Sequence, residues 1–265
     1  MTTDSNKQEV TTENQLEKSF IPEKEGHTLS FLLDATYPLL KTLREKCPGT
    51  YKHSQALISM VESISLDLGL DLVEMKVCCA YHDVGKIYNS DFFSENILDD
   101  EDPHKELNPM ESYNIIRAHV PDGVNLLLND SNFPPSLIRI ISQHHGNGLI
   151  EYFYNKALKI SENTGTVVNK SDFRYHCSRP SSIEAAVLMI CDHMEAKSRS
   201  LFQNGKLDPS TIIDQTLNNL LDDGLLDQVT MRLGDLKKIK KAMAKELEAM
   251  FQRRVDYEDI NIEDA

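Results

Sequence analysis

From Leu29 onward, apolar residues recur every three or four positions almost without a break, and the pattern is interrupted only by Pro and Gly. A chain written this way must stack helices on helices, because each helix carries one apolar stripe that has to be covered. The segments LSFLLDATYPLLKTLREKC, HSQALISMVESISLDLG, DLVEMKVCCAYHD, NPMESYNIIRAHV, PPSLIRIISQHHG and SSIEAAVLMICDHMEAKSRSLF all read as helix, with two more near 210–222 and 235–253. The punctuation is specific. Gly69 ends the second segment, Gly85 breaks the third and Gly146 closes the fifth. Asn108, Pro109 and Glu111 have the spacing of a capping box, and Pro121 is expected to end that helix. No strand, hairpin or internal repeat is legible, so the expected fold class is all-α.

Residues 1–27 are polar and poor in aromatics and read as a disordered tail. Residues 28–258 read as one helical domain and 259–265 as an acidic tail. The stretch DDED at 99–102 reads as a solvated loop. No run approaches the ~18 apolar residues of a membrane span, and the N-terminus lacks a signal pattern. Five Cys, two of them adjacent, suit reduced thiols and a cytoplasmic location better than a disulfide framework. The formal net charge of −14 argues against polymeric nucleic acid as a partner. A small anion is still allowed, because a bound cation reverses the field inside one pocket.

Several helical faces carry polar groups where the apolar stripe points inward. His53 leads the stripe Leu57, Val61, Ile64 and Leu68; His82 ends the stripe Leu72, Met75 and Cys79. His119 follows Ser112 and Ile115, His144 and His145 follow Leu137 and Ile141, and Asp192 follows Ala185, Leu188 and Met189. One inward His is usually a satisfied core residue. Five such helices ask for a common partner, since buried polar groups are costly when left unpaired. A shared cation supplies it. Mixed imidazole and carboxylate ligands suit a transition metal, and seven candidates exceed one tetrahedral site. They fit two metals sharing a carboxylate, with Asp83 as the natural bridge because it adjoins His82. Such a pair clamps the oxygens of a phosphoryl displacement. Gly85 is expected to let the chain turn away after these ligands, and Lys86 to bring a positive charge beside them. Arg199 lies seven residues beyond Asp192, placed either to orient a phosphate or to pair with Glu195; the pairing is the simpler reading.

The order His…His-Asp…Asp resembles the HD-domain metal-dependent phosphohydrolases. The segments PLLKTLREKCPGTYKHS, AYHDVGKIYNSDFFSEN, DPHKELNPMESYNIIRAHV, ISQHHG and SSIEAAVLMICDHMEAKSRSL are similar to one branch, the cytoplasmic catalytic domain of the seven-transmembrane HD receptors, which hydrolyse cyclic di-AMP to pApA. The likeness covers roughly residues 29–258. It implies a helical bundle around a binuclear centre, with one metal on His53, His82, Asp83 and Asp192 and the second on Asp83, His119, His144 and His145. The implied metals are iron or manganese. Lys86 would help hold phosphate, and His104 falls at a family His outside the metal shell, contacting substrate or bracing its loop. The chain departs from the branch in three ways. It shows no membrane segments or sensor, so a different input is expected. HCSRP at 176–180, with Arg179, replaces a Pro-Gly-Pro-like turn, which bears on substrate preference. DPH stands for Asn-Pro-His. The segment HHGNGLIEYFY lacks the Gly-Tyr-Pro element of the cyclic di-GMP enzymes.

The expectation is thus a phosphodiesterase acting on a cyclic dinucleotide by attack of a metal-bridging hydroxide, with Asp83 and Lys86 as its catalytic groups. Lys86, His104, Arg179 and Arg199 are the candidates for substrate contact, and self-association as a homodimer stays open. The alternatives are a phosphohydrolase of another nucleotide or a linear dinucleotide, a non-catalytic nucleotide-sensing module, and a helical scaffold with buried histidines.

Overall fold

The computed structural model describes residues 29–97, 102–203 and 208–263. The expected N-terminal tail lies outside the described residues, as does most of the 99–102 stretch. The described chain is all-α, with helices α1 (Pro38–Lys46), α2 (Pro48–Leu68), α3 (Leu72–Tyr81), α4 (Pro109–Leu128), α5 (Pro135–Ser142), α6 (Glu151–Thr164), α7 (Ile183–Gln203), α8 (Pro209–Asp222) and α9 (Leu233–Glu263). Among the described residues there is no strand, only a single bridge between Leu149 and Arg174.

Helix α2 is the hub and packs on α3, α7 and α9. Its Leu57, Met60, Val61 and Ile64 are fully buried. Residues 185–191 of α7 are also buried without a break, as expected of a helix covered on all sides. The caps follow the sequence. The Asp71 carboxylate accepts from the Val73 and Glu74 amides, and Asn108 with Glu111 forms the expected reciprocal box. Gly69 ends α2 at φ 72°, the left-handed region that favours glycine.

The structure corrects the expected helix boundaries in several places: the first expected segment is α-helical only from Pro38, and α2 starts at Pro48, ahead of His53. Pro121 does not end α4, which runs to Leu128 with the proline inside. The missing amide and ring clash cost about 3 kcal/mol. Burial of Gly123 and Leu127 downstream offsets this and keeps the helix going. Helix α6 has no counterpart among the expected helices, since only Phe153 and Ala157 of its face are buried. Helix α3 stops at Tyr81 and α5 at Ser142, so the His82-Asp83 and His144-His145 pairs sit on the turns that follow. Finally, Gly85 serves a close approach. A Cβ there would lie 2.0 Å from the His119 carbonyl oxygen and 2.5 Å from the Gly123 nitrogen. The short 3-10 turn Val84–Tyr88 therefore lies directly on α4 and brings Asp83 beside His119.

Candidate metal centre

Two helix ends and one helix interior aim their imidazoles by one shared device. His82 Nδ1 bonds the Cys79 carbonyl at 2.9 Å, His119 Nδ1 the Ile116 carbonyl at 2.6 Å and His144 Nδ1 the Ile141 carbonyl at 2.7 Å. A carbonyl only accepts, so each Nδ1 carries the hydrogen and each Nε2 presents a lone pair. At the ends of α3 and α5 the bonded carbonyls, of Cys79 and Ile141, lie in the last turn, so each ring binds back onto its own helix; the Ile141 carbonyl also accepts from the His144 amide at 3.3 Å. His53 differs: its Nδ1 faces the Glu195 carboxylate at 2.6 Å.

These lone pairs converge on Asp83, which is 2 % exposed. Its Oδ2 lies 3.1 Å from His82 Nε2 and 3.8 Å from His53 Nε2. Its Oδ1 lies 3.3 Å from His119 Nε2 and 3.7 Å from His144 Nε2. One carboxylate thus faces two separate imidazole pairs, one with each oxygen. Asp192 makes a second link, with Oδ1 3.1 Å from His53 Nε2 and Oδ2 3.6 Å from His145 Nδ1. Two ligand groups have donor atoms mutually within 4.8 Å: His53, His82 and Asp83, and Asp83, His119, His144 and His145. A third, His145, Asp192 and His193, overlaps them.

The residues present fit a divalent metal. His119 and His144 point bare Nε2 atoms at each other across 3.3 Å, and Asp83 Oδ1 is buried beside them with no hydrogen-bond partner. Three electron-rich atoms facing one another in a buried place need a cation between them. The titration of the groups agrees. Burial pushes His144 down to about 3. Burial also lowers His119, and with His144 it holds His145 well below the usual imidazole range. These rings are unprotonated at neutral pH, as metal ligands must be. On the other side burial would lower His53, but its bonds to Asp192 and Glu195 outweigh this and lift it to about 9. Asp83 stays well below its ordinary value despite burial, held ionised by His82 and Lys86.

Lys86 Nζ lies 2.8 Å from Asp83 Oδ2 and 2.6 Å from Glu95 Oε1, and 4.7 Å from the centre of the Phe93 ring. It shares with His53, Asp83, His119, His145, Asp192 and Arg199 a cleft of about 260 Å³. Arg199 reaches Glu195 at 3.8 Å and also lines this cleft, so pairing and exposure to a ligand coexist. His104 is buried in a neighbouring wall, where its Nε2 bonds the Phe92 carbonyl at 2.9 Å. Arg179 is held elsewhere, donating from Nε to Asn147 Oδ1 at 2.9 Å, and does not line the cleft.

Sequence reasoning did not assign Glu195, Glu95 or Tyr175 to the centre. Glu195 holds His53; its position three residues after Asp192 was the available signal. Glu95 holds Lys86 across a turn, and Tyr175 stacks on His145 at 4.3 Å and 21° from a distant loop. No periodicity announces either contact.

Comparisons with known proteins bear on the same residues. The family described as HD domain matches residues 50–197. The chain is 32% identical over 228 residues to the cyclic-di-AMP phosphodiesterase PgpH of Listeria monocytogenes, covering 86% of this chain and 31% of that protein. It is 31% identical over 226 residues to the PgpH of Bacillus subtilis, with 85% and 31% covered. It therefore spans about a third of the length of these curated relatives. The crystal structure of the L. monocytogenes PgpH HD domain in complex with cyclic-di-AMP superposes with a TM-score of 0.73 at 32% identity, covering 81% of this chain and 98% of that one.

Proposed function

Since this chain belongs to the HD-domain family, we propose that it is a metal-dependent phosphodiesterase that opens a cyclic dinucleotide, cyclic di-AMP to pApA. The carrying observation is Asp83, whose two oxygens each face their own pair of imidazoles. The reading assigns one iron or manganese ion to His53, His82, Asp83 and Asp192, and a second to Asp83, His119, His144 and His145. When bound, such ions supply Lewis acidity toward phosphoryl oxygens and lower the pKa of water. The relatives support the substrate, because both curated PgpH proteins are named for cyclic-di-AMP.

The chain's own residues prepare the site for a phosphodiester. Lys86 brings an ammonium of the cleft to the edge of Asp83, where it offsets charge on a phosphoryl oxygen. Glu95 keeps that ammonium charged and aimed: burial would lower the Lys86 pKa, and the two carboxylates raise it. Glu195 fixes the tautomer of His53, and Tyr175 covers the face of His145. In the overall reaction water adds to one phosphorus, the bond from phosphorus to the 3′-oxygen breaks, and a linear dinucleotide with a 5′-phosphate leaves. The altered segment at 176–179 does not line the cleft, so it gives no ground for a different substrate.

The test is a panel of cyclic and linear dinucleotides and mononucleotides, assayed with Mn²⁺ or Fe²⁺ and read by chromatography, with metal content measured in parallel. Cyclic di-AMP should yield pApA, and Asp83→Ala should lose both metal and turnover. A fully active, metal-free Asp83→Ala protein would refute the mechanism. Turnover of mononucleotides alone would refute the substrate.

A further inference from the structure

The metal cleft opens sideways into a second cavity of about 400 Å³, the two sharing Phe93, Ser94, Glu95 and Ile116. The side recess is walled by Phe92, Ile97, His104, Tyr152 and Phe153. Its rings brace one another. His104 packs 5.5 Å from Phe92 and 4.9 Å from Phe153, and Tyr152 stands edge-on to Phe153 at 5.1 Å. The two Phe92–His104 links, ring to ring and Nε2 to carbonyl, fix the wall. Tyr152 is 62% exposed, a large aromatic left in water at the edge of an apolar recess.

The recess suits a flat neutral group and not an anion. Its two carboxylates are already engaged, Glu95 with Lys86 and Asp102 with the His104 amide at 2.9 Å. It has no Lys or Arg among its lining residues. A nucleobase has this chemistry: two π faces, no charge, and a size well within the cavity. Bases stack on such rings regardless of sequence. The position also fits. A cyclic dinucleotide carries its bases outward from a ring of sugars and phosphates, so a phosphate over Asp83 and Lys86 puts a base to one side. The remainder has room, because the cleft adjoins a third cavity of about 490 Å³ through His145, Tyr175 and His193. That one is polar, with Lys170, Asn219, Asp222 and Asp223, and shares no residue with the aromatic recess.

We propose that the recess of Phe92, Ile97, Tyr152 and Phe153 is a base-binding subsite that takes one adenine of the dinucleotide while its phosphate lies over the metal centre. This rests on the phosphodiesterase reading above, but its test needs no turnover. Binding of AMP and of ribose 5-phosphate to the metal-loaded protein is measured by calorimetry; both carry the phosphate and only one carries a base. The wild type should prefer AMP by about tenfold or more. In Tyr152→Ala and in Phe92→Ala the ratio of the two affinities should fall toward one, and Tyr152→Phe should keep it. Tyr152 is exposed, so its replacement does not threaten folding. A wild-type ratio near one overturns the subsite, as does a ratio unchanged in both alanine variants. If the ratio behaves as stated while cyclic di-AMP is not hydrolysed, the subsite stands and the phosphodiesterase reading falls.

Discussion

Glu195 touches no expected ligand position but His53, and replacing it by Gln isolates what a carboxylate behind a ligand does. The His53 Nδ1 to Glu195 Oε2 contact is 2.6 Å, and both groups are nearly fully buried. A hydrogen bond to a charged group is worth about 1.5–3 kcal/mol. Loss of a partner behind a metal-bound imidazole typically costs about 10–100-fold in metal affinity, which is about 1.4–2.7 kcal/mol. The two scales agree. Gln can still accept the Nδ1 hydrogen, so the tautomer survives and only the charge is lost. Glu195→Gln should therefore sit near the tenfold end, and Glu195→Ala, which also frees the ring, near the hundredfold end. The loss should fall on one ion, the one His53 would hold. In metal-free protein the same carboxylate helps lift His53 to about 9 against the effect of burial, so Glu195→Gln should lower it. The assay is a chelator competition with metal counted per chain, and an NMR titration of the imidazoles in the stripped protein. Wild-type affinity for both ions together with an unmoved His53 titration would refute the argument. The Arg199 guanidinium, 3.8 Å from Glu195, provides a control: Arg199→Met should leave the His53 tautomer in place.

Lys86→Met strips the cation from two buried carboxylates, Asp83 and Glu95, and should destabilise the metal-free protein by about 3–5 kcal/mol in denaturant titrations; adding Glu95→Gln should recover part of it. Gly85→Ala places a Cβ 2.0 Å from the His119 carbonyl, so α4 must move; a drop of about 1–3 kcal/mol or more in stability and loss of the His119-side ion are expected, and an unchanged melting temperature would sink the close-packing account. Metal-free protein should melt highest near neutral pH. His144 sits at about 3 when folded, so the unfolded chain takes a proton below about 6.5 that the folded one refuses, and stability falls with acid by up to ~1.4 kcal/mol per pH unit. His53 works the other way, since its raised value gives stability that is full below about 6.5 and lost as pH rises through about 9. Thermal melts in chelator from pH 5 to 9 check both slopes, and a flat profile would count against them.

What the sequence made legible was whatever depends on neighbours along the chain. The capping box at Asn108 and the left-handed end at Gly69 are local, and both appear where the residues put them. The inward stripes are local too, and they led to His53, His119 and Asp192 as residues facing a common interior. Misreadings arose where tertiary contact overrides local preference. Pro121 stays inside α4 because Gly123 and Leu127 after it are buried, a fact its own neighbourhood does not carry. Helix α6 buries only two residues of its face, too few to set a period in the sequence.

The helix ends show why the ligand pairs could be found while their setting could not. A helical period counted through His82 and His144 points them inward correctly, yet both helices stop before these residues. Carbonyls in the last turns of α3 and α5, those of Cys79 and Ile141, accept from the imidazoles. That bond chooses Nε2 as the free atom and turns it toward Asp83. Carbonyl, imidazole and carboxylate form one chain of constraints, and each ligand is oriented before any ion arrives. The groups that complete the centre, Glu95 behind Lys86 and Tyr175 over His145, come from segments outside the α-helices. A centre of this kind is readable from sequence to the extent that its ligands lie on inward helical stripes, and unreadable where one side chain braces another across the fold.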